Sequence, residues 1–375
     1  MKRILLHYPF IPSYRIPVFN EMNSSSEFEL LVLSAAKSND ETLLSTENGW
    51  GFNHIKTELR SISFFGKQFD FETGVINDLF KYRKKFEYYV ILSNPNILSS
   101  WLYSMSAKLL GYKVIFWGHG LLKPDRGLKR LLRSLYYKIP DIHWLYGNNG
   151  KDLLIEAGIE SNRIKVIYNS LDYDVQRLVR DKYLNDRISI RNNLGFCEND
   201  FVIVSIGRLL DKLKIAQIIK AISVSKSVTI KLVVIGDGPE KNNLVNLSEN
   251  LNVLDSVSFV GAQYDENDIG KYFVAADASV VMGVVGLAAM HSLAYGIPMI
   301  THSTIEDHCP EIEAVVPGVT GEFFEQNNID SFLDAVYKVN KNKGNYRNNC
   351  IQEIEKKYTP EQQVAYMLES IKNEL

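Results

Sequence analysis

Short apolar runs recur along this chain, and helix-like segments separate them. Six lie in the first half, at residues 4–6, 30–33, 89–92, 114–117, 142–145 and 164–167. Five follow in the second half, at 201–206, 230–235, 257–260, 278–281 and 298–300. Near-continuous apolar strands belong to parallel sheets covered on both faces. Their alternation with helices argues for βαβ units. Two such series within 375 residues predict an α/β protein of two doubly wound domains with a cleft between them. Ligands in such sheets bind beyond the carboxyl ends of the strands.

The boundary is expected between residues 170 and 200. Residues 172–193 are charged and helix-like, and a new strand, FVIVSIG, starts at Phe201. This gives an N-terminal domain over 1–172, a C-terminal domain over 173–357, and a final helix over 358–375 that packs back on the first domain. Residues 36–75 are polar and aromatic with weak periodicity. They read as mobile loops, a usual place for substrate selection.

Hydrophobic residues make up 46% of the chain and charged residues 23%, which excludes a disordered chain, a collagen and a coiled coil. With 42 Lys/Arg against 44 Asp/Glu, the charge balance of a nucleic-acid binder is missing. Cys197, Cys309 and Cys350 are scattered and odd in number, so a disulfide framework is not expected and a reducing cytosol is. The apolar run in MKRILLHYPF is too short for a signal-peptide core. No stretch approaches the ~18 apolar residues of a membrane span.

The charge is uneven. Residues 1–170 hold 22 Lys/Arg against 16 Asp/Glu, and the remainder holds 20 against 28. Residues 101–140 hold eight Lys/Arg and one acid, Asp125. Within them, Leu128, Leu131, Leu132 and Leu135 recur at helical spacing. Lys129, Arg130 and Arg133 lie among these leucines, flanked by Lys123, Arg126 and Lys138. Such a basic amphipathic segment suits an anionic membrane surface. The alternative is a surface helix whose leucines face the core.

Four motifs carry candidate chemistry. VSIGRLLDKLKI, residues 204–215, is a strand followed by a glycine, Arg208 and the lysines 212 and 214. Arg208 with Lys212 or Lys214 is suited to neutralising a diphosphate, and Arg offers a planar fork for it. VVIGDGPE, residues 233–240, ends a strand in a tight loop through Gly236 and Gly238. It lacks the full dinucleotide fingerprint, so a nicotinamide cofactor is not indicated. In VVGLAAMHSLAYGIPMITH, residues 284–302, Gly286 opens a small apolar helix over 287–295 whose first N–H groups can hold phosphate. His291 is the polar group inside that helix, either a satisfied core residue or a site residue. WGHG, residues 117–120, puts His119 just beyond a strand of the first domain.

Together with ADASVV, PGVTGEFF, IKVIYNSLD and the opening YPFIPSYRIPVFNEM, these motifs resemble the retaining nucleotide-sugar glycosyltransferases of family 4. The resemblance covers essentially the whole chain. It implies the GT-B fold, two Rossmann-like domains facing across a cleft, with the donor held mainly by the second. It also implies that no metal or cofactor is needed, because basic side chains and the turn at Gly286 stabilise the diphosphate. Residue by residue, Arg208 matches the donor-phosphate arginine, and Gly286, Leu287 and Ala288 match the phosphate-cradling turn. His119 matches the histidine near the reacting sugar, and Glu311 matches an acid after the next strand. Tyr14 and Arg15 stand where a subgroup carries Tyr-Arg, as candidates to contact diphosphate or acceptor. Two departures are visible. The family's paired glutamates are replaced by Gly283 and His291, the latter at the ribose-binding position. The family lysine falls at Leu213, between Lys212 and Lys214.

The resemblance implies a retaining hexosyltransferase of bacterial surface-polysaccharide assembly. It would use a nucleoside diphosphate sugar, a UDP-sugar over a GDP-sugar, and a lipid-linked oligosaccharide acceptor on the cytoplasmic membrane face. A non-catalytic partner of the same fold and a nucleotide-sugar epimerase are the alternatives.

Overall fold

The computed structural model describes residues 1–35, 50–64, 67–124 and 127–372. The chain divides into two units, Met1–Ser170 with Pro360–Leu375, and Leu171–Thr359. The first unit is built on β1 (Lys2–Phe10), β2 (Phe28–Ala35), β3 (Asn53–Phe64), β4 (Lys67–Thr73), β5 (Tyr88–Leu92), β6 (Lys113–Gly118), β7 (Ile142–Leu145) and β8 (Ile164–Val166). Their order is β4-β3-β2-β1-β5-β6-β7-β8, with β3 and β4 antiparallel and the other pairs parallel.

Strand residues alternate between two cores, one on each face of the sheet. Ile4, Leu6, Val90, Ile115, Trp117 and Trp144 enter one, and Leu5, Tyr89, Ile91, Val114, Phe116 and Leu145 enter the other. This double burial is why the strands read as continuous apolar runs. The helix Pro360–Lys372 adds Val364, Met367 and Ile371 to the first core. Hydrogen bonds fix it there, from Trp144 Nε1 to Ser370 Oγ (2.7 Å) and from Ser170 Oγ to Gln363 Oε1 (2.8 Å).

The reading of residues 36–75 as loops needs correction where the structure describes them, because β3 and β4 form a two-stranded ribbon. Residues 36–49 lie outside the described residues. The ribbon escaped hydropathy because part of what it buries is polar. The buried Glu72 carboxylate accepts from Thr57 Oγ1 (2.5 Å) and lies 2.6 Å from His7 Nε2, while His7 Nδ1 is 2.7 Å from Tyr89 Oη. A fully satisfied network of this kind holds strands in place without an apolar pattern.

The second unit carries β9 (Phe201–Ile206), β10 (Ile230–Ile235), β11 (Val257–Gly261), β12 (Ala278–Val281), β13 (Met299–His302) and β14 (Gly321–Phe324). They form a parallel sheet in the order β11-β10-β9-β12-β13-β14. At its amino edge Asp277, just before β12, is a buried charge hub. Its carboxylate accepts from the Val202 N–H (2.8 Å) and pairs with Arg187 (2.8 Å), Arg191 (3.2 Å) and Lys343 (3.4 Å). Arg187 and Arg191 also donate to carbonyls at the C-terminus of the helix Glu266–Ala275, where cations are favoured. Removing the shared anion would leave Arg191 buried beside two further cations. Asp277→Ala is expected to destabilise the second unit by about 3–5 kcal/mol. Urea unfolding followed by tryptophan-independent circular dichroism reads this directly, and a loss below about 1 kcal/mol would show that the hub is dispensable.

Candidate functional site

The carboxyl edge of the second sheet gathers most of the predicted donor residues. Because β10, β9 and β12 are neighbours, the loops that leave them lie side by side. The contact between them is made of backbone. A Cβ added to Gly236 would overlap the Gly207 carbonyl, and one added to Gly238 would crowd the Leu209 peptide. The Leu209 N–H donates to the Asp237 carbonyl (2.9 Å), and the Glu240 N–H donates to the Leu209 carbonyl (3.1 Å). Gly236 and Gly238 therefore hold the Arg208 loop in place through the main chain. The Arg208 side chain is exposed and makes no ion pair or side-chain hydrogen bond among the described residues, while its carbonyl accepts from the Leu210 N–H (2.8 Å).

The turn after β12 supplies the second component. The Val285 N–H donates to His308 Nδ1 (3.0 Å), and the Val285 carbonyl accepts from the Cys309 N–H (2.9 Å). This leaves Gly286, Leu287 and Ala288 half-buried, with their N–H groups unpaired among the described residues. The helix that follows is Ala288–Ala294, shorter than the expected 287–295. His308 is itself held by His302, whose ring stacks on it at 4.0 Å and whose carbonyl lies 2.9 Å from His308 Nε2. Burial, reinforced by His308, pushes His302 down to about 4. Near neutral pH it is thus an uncharged scaffold for the turn.

The two lysines part company. Lys212 is exposed and close enough to Cys309 to oppose the rise of its thiol, which burial and Glu311 push up to about 11. Lys212, Cys309 and the buried Glu311 thus gather near Gly286, whose added Cβ would lie 3.9 Å from Cys309 Sγ. Lys214 takes a left-handed conformation (φ 53°) and donates to Asn327 Oδ1 (3.1 Å). Gly283, where the resemblance has a glutamate, lies against the backbone of this same loop. A Cβ there would overlap the Lys212 carbonyl oxygen. Gly283 and the loop of Lys212 are therefore held together by main-chain contact.

His291 is committed elsewhere in the unit. Its ring stacks on Phe273 (4.6 Å) and Tyr295 (5.7 Å), and Nε2 lies 3.0 Å from Glu266 Oε1, an ion-pair distance without good hydrogen-bond alignment. Glu266 also accepts from Tyr295 Oη at 2.7 Å. Burial raises the Glu266 pKa, but His291 and Tyr295 outweigh it and leave the carboxyl below its usual value.

In the first unit, His119 follows β6 between Gly118 and Gly120, and Gly150 lets the His119 carbonyl approach the first turn of the helix Asn148–Glu156. The exposed His119 ring meets Tyr146 edge-on at 4.9 Å. Tyr146 Oη accepts from Arg15 Nη2 (2.8 Å), Asn169 Oδ1 from Nη1 (2.6 Å) and Tyr8 Oη from Nε (3.2 Å). Arg15 is 2% exposed, so its guanidinium is enclosed rather than presented to a diphosphate. The half-buried Tyr14 ring lies 5.1 Å from it.

The leucines of the helix Gly127–Tyr137 do not face the core. Leu128, Leu131, Leu132 and Leu135 are 49–71% exposed, and Tyr136 and Tyr137 make the buried face. Lys123, Lys129 and Arg130 are exposed and Arg133 is half-buried, while Arg126 lies outside the described residues. Sequence reading missed a companion stripe. Leu98, Leu102, Met105 and Leu109 of the helix Leu98–Leu109 are 51–87% exposed at helical spacing. The two helices meet through Ser100, Trp101 and Tyr136. The 98, 102, 105, 109 periodicity was the available signal.

Residues 186–357 match the model of the family described as glycosyl transferases group 1. Among curated relatives, the N-acetyl-alpha-D-glucosaminyl L-malate synthase of Bacillus anthracis is 23% identical over 49% of this chain and 46% of its own length. The chain thus spans about half or less of the first relatives it matches. The Escherichia coli UDP-Gal:alpha-D-GlcNAc-diphosphoundecaprenol alpha-1,3-galactosyltransferase is 26% identical over 85% of this chain and 84% of its own. Among solved structures, Anabaena Alr3699/HepE in complex with UDP superposes with a TM-score of 0.74 and 16% identity, covering 99% of this chain and 100% of that one. That likeness shows the fold, which is GT-B. The residues that match the group 1 model lie within the second unit.

The contacts of His291 generate a test. His291→Ala removes a stacked ring and a buried partner of Glu266, and is expected to cost about 1–3 kcal/mol of stability. Calorimetric titration with UDP, beside melting curves, checks it. A normal melt with donor affinity lowered tenfold or more would return His291 to the ribose.

Proposed function

We propose that this protein is a retaining, metal-independent glycosyltransferase. It moves a hexose from a UDP-sugar to a hydroxyl of a lipid-linked glycan in bacterial surface-polysaccharide assembly, such as capsule, O-antigen or exopolysaccharide. The observation that carries this reading is the exposed Arg208 in a loop beside the open amides of Gly286–Ala288, in the unit that matches group 1 glycosyltransferases. UDP in the Anabaena protein and UDP-Gal in the name of the Escherichia coli relative support a uridine donor. The diphosphoundecaprenol in that relative's name supports a lipid-linked acceptor.

In this mechanism the bond between the anomeric carbon and the diphosphate oxygen breaks, and its electron pair leaves with the diphosphate. Arg208, Lys212 and the turn amides stabilise that growing charge. The acceptor hydroxyl attacks from the same face, and its proton passes to the departing diphosphate. The protein's work is then electrostatic stabilisation and positioning. His119 serves on the acceptor side, with Tyr146 and Arg15 fixing its surroundings.

The two exposed apolar stripes and the basic residues around the second of them would dock the first unit on the inner face of the cell membrane. Each basic residue close to an anionic surface contributes about 1 kcal/mol. No helix among the described residues is long and apolar enough to cross a membrane. One observation favours a second reading, a non-catalytic protein of the same fold: the Gly283 position has no room for the sugar-contacting carboxylate.

The deciding experiment supplies UDP-sugars with a lipid-linked acceptor and reads the anomeric configuration of the product by NMR. Conversion of the donor without acceptor would indicate an epimerase, and no turnover would favour the non-catalytic reading. Arg208→Ala is expected to lower turnover by about 100-fold or more with an unchanged melt. An effect of only a few-fold would remove Arg208 from the mechanism. Activity is also expected to survive EDTA; a complete loss restored by Mn²⁺ or Mg²⁺ would contradict the proposed electrostatics.

A further inference from the structure

Two buried histidines, His302 at the end of β13 and the nearby His308, brace the loop that leaves β12. Each holds a different peptide group of that loop. The His302 ring bonds the Gly283 carbonyl, and its Nδ1 accepts from the Thr304 N–H (3.3 Å). His308 Nδ1 accepts from the Val285 N–H (3.0 Å), while Nε2 faces the His302 carbonyl at 2.9 Å. A carbonyl only accepts, so these partners assign the His308 proton to Nε2 and the lone pair to Nδ1. Val285 is fully buried, so its N–H has no water to turn to once that lone pair is lost.

Protonation of His308 takes the lone pair away. Nδ1 then carries a hydrogen that faces the Val285 N–H, two donors against each other in a buried place. The other side of the loop has little freedom to adjust, because Gly283 lies against the Lys212 carbonyl. Burial is the main force that keeps the rings neutral, and it holds His308 below the ordinary histidine value of 6.5. The His302 carbonyl and Asp307 work against burial at His308. At His302, His308 and Lys214 reinforce burial, while the Gly283 carbonyl and Asp307 oppose it. The adjoining Cys309 thiol, pushed up to about 11, stays uncharged.

We propose that His308 is a positioning residue of the carboxyl-edge site: its neutral ring fixes the loop after β12, and its protonation releases that loop and with it the grip on a nucleoside diphosphate. His302 sets the tautomer by presenting its carbonyl to Nε2. For the ligand, this rests on the glycosyltransferase reading. Donor binding is then acid-sensitive. It is fully present above the ordinary histidine value and is lost as the pH falls through the lower value of the buried ring.

The test separates the loop from the ligand. In the wild type, nitrogen NMR is expected to find His308 as the Nε2–H tautomer at pH 7.5; an Nδ1–H tautomer overturns the proposal. His308→Asn places Oδ1 near the position of Nδ1 and cannot take up a proton, whereas His308→Gln carries its amide further out. At pH 7.5 the Asn variant is expected to keep slow exchange of the Val285 amide and to bind UDP within about threefold of wild type. The Gln variant is expected to exchange that amide about tenfold faster and to bind UDP about tenfold more weakly, the loss of one acceptor for a buried N–H. Between pH 7.5 and 4.5, wild-type affinity is expected to fall relative to that of the Asn variant, a ratio that cancels the titration of UDP itself. A constant ratio, or equal exchange and affinity in the two variants, overturns the positioning role and leaves His308 a packing residue. A wild type that does not bind UDP, with the exchange difference intact, refutes the donor reading of this edge while the hold of His308 on the loop stands.

Discussion

The second unit depends on bringing three loops into backbone contact at one edge of a sheet. Gly236 against the Gly207 carbonyl, Gly238 against the Leu209 peptide and Gly283 against the Lys212 carbonyl leave no space for a single methyl group. Side chains cannot mediate such an approach, so the loops are fixed by main-chain sterics and by hydrogen bonds such as that from Leu209 N–H to the Asp237 carbonyl. A loop held this way presents Arg208 from a rigid base.

Buried polar groups do comparable work away from that edge. Arg15 is enclosed by Tyr8, Tyr146 and Asn169, each accepting from a different nitrogen of the guanidinium. A buried cation is tolerable when its donors are satisfied, and it then fixes the groups that satisfy it. One of them, Tyr146, is the ring against which His119 packs. Asp277 plays the inverse role in the second unit, an anion ordering Arg187, Arg191 and Lys343 below the sheet. Exposed leucines are the opposite case. Eight apolar side chains on two touching helices stay in water, where burial of each would be worth about 1.5–3 kcal/mol.

The eleven apolar runs all fall in strands of the structure, although the run at 164–167 outlasts its strand by one residue, beyond Val166, and the run at 298–300 begins one residue before its strand, at Met299. They were legible because strands buried on both faces must be apolar at every position. The turn at Gly286 and the loop of Arg208 were legible as motifs. The ribbon of β3 and β4 was not, because the burial of Glu72, Thr57 and His7 depends on partners far apart in sequence. The stripe of the helix Leu98–Leu109 was equally silent, since an apolar periodicity is the same whether its face meets a core or water.

Sequence by itself therefore determined the two doubly wound sheets, their approximate boundary and the candidates Arg208, His119 and the Gly286 turn. Tertiary structure decided how each candidate is used. It separated Lys212, near Cys309, from Lys214, bonded to Asn327, and it turned His291 to Glu266. It enclosed Arg15 and turned the leucines of the helix Gly127–Tyr137 outward. The physical reason is that local pattern encodes which residues tolerate burial, whereas the partner of a charge and the neighbour of a helix face are set by chain segments tens to hundreds of residues away.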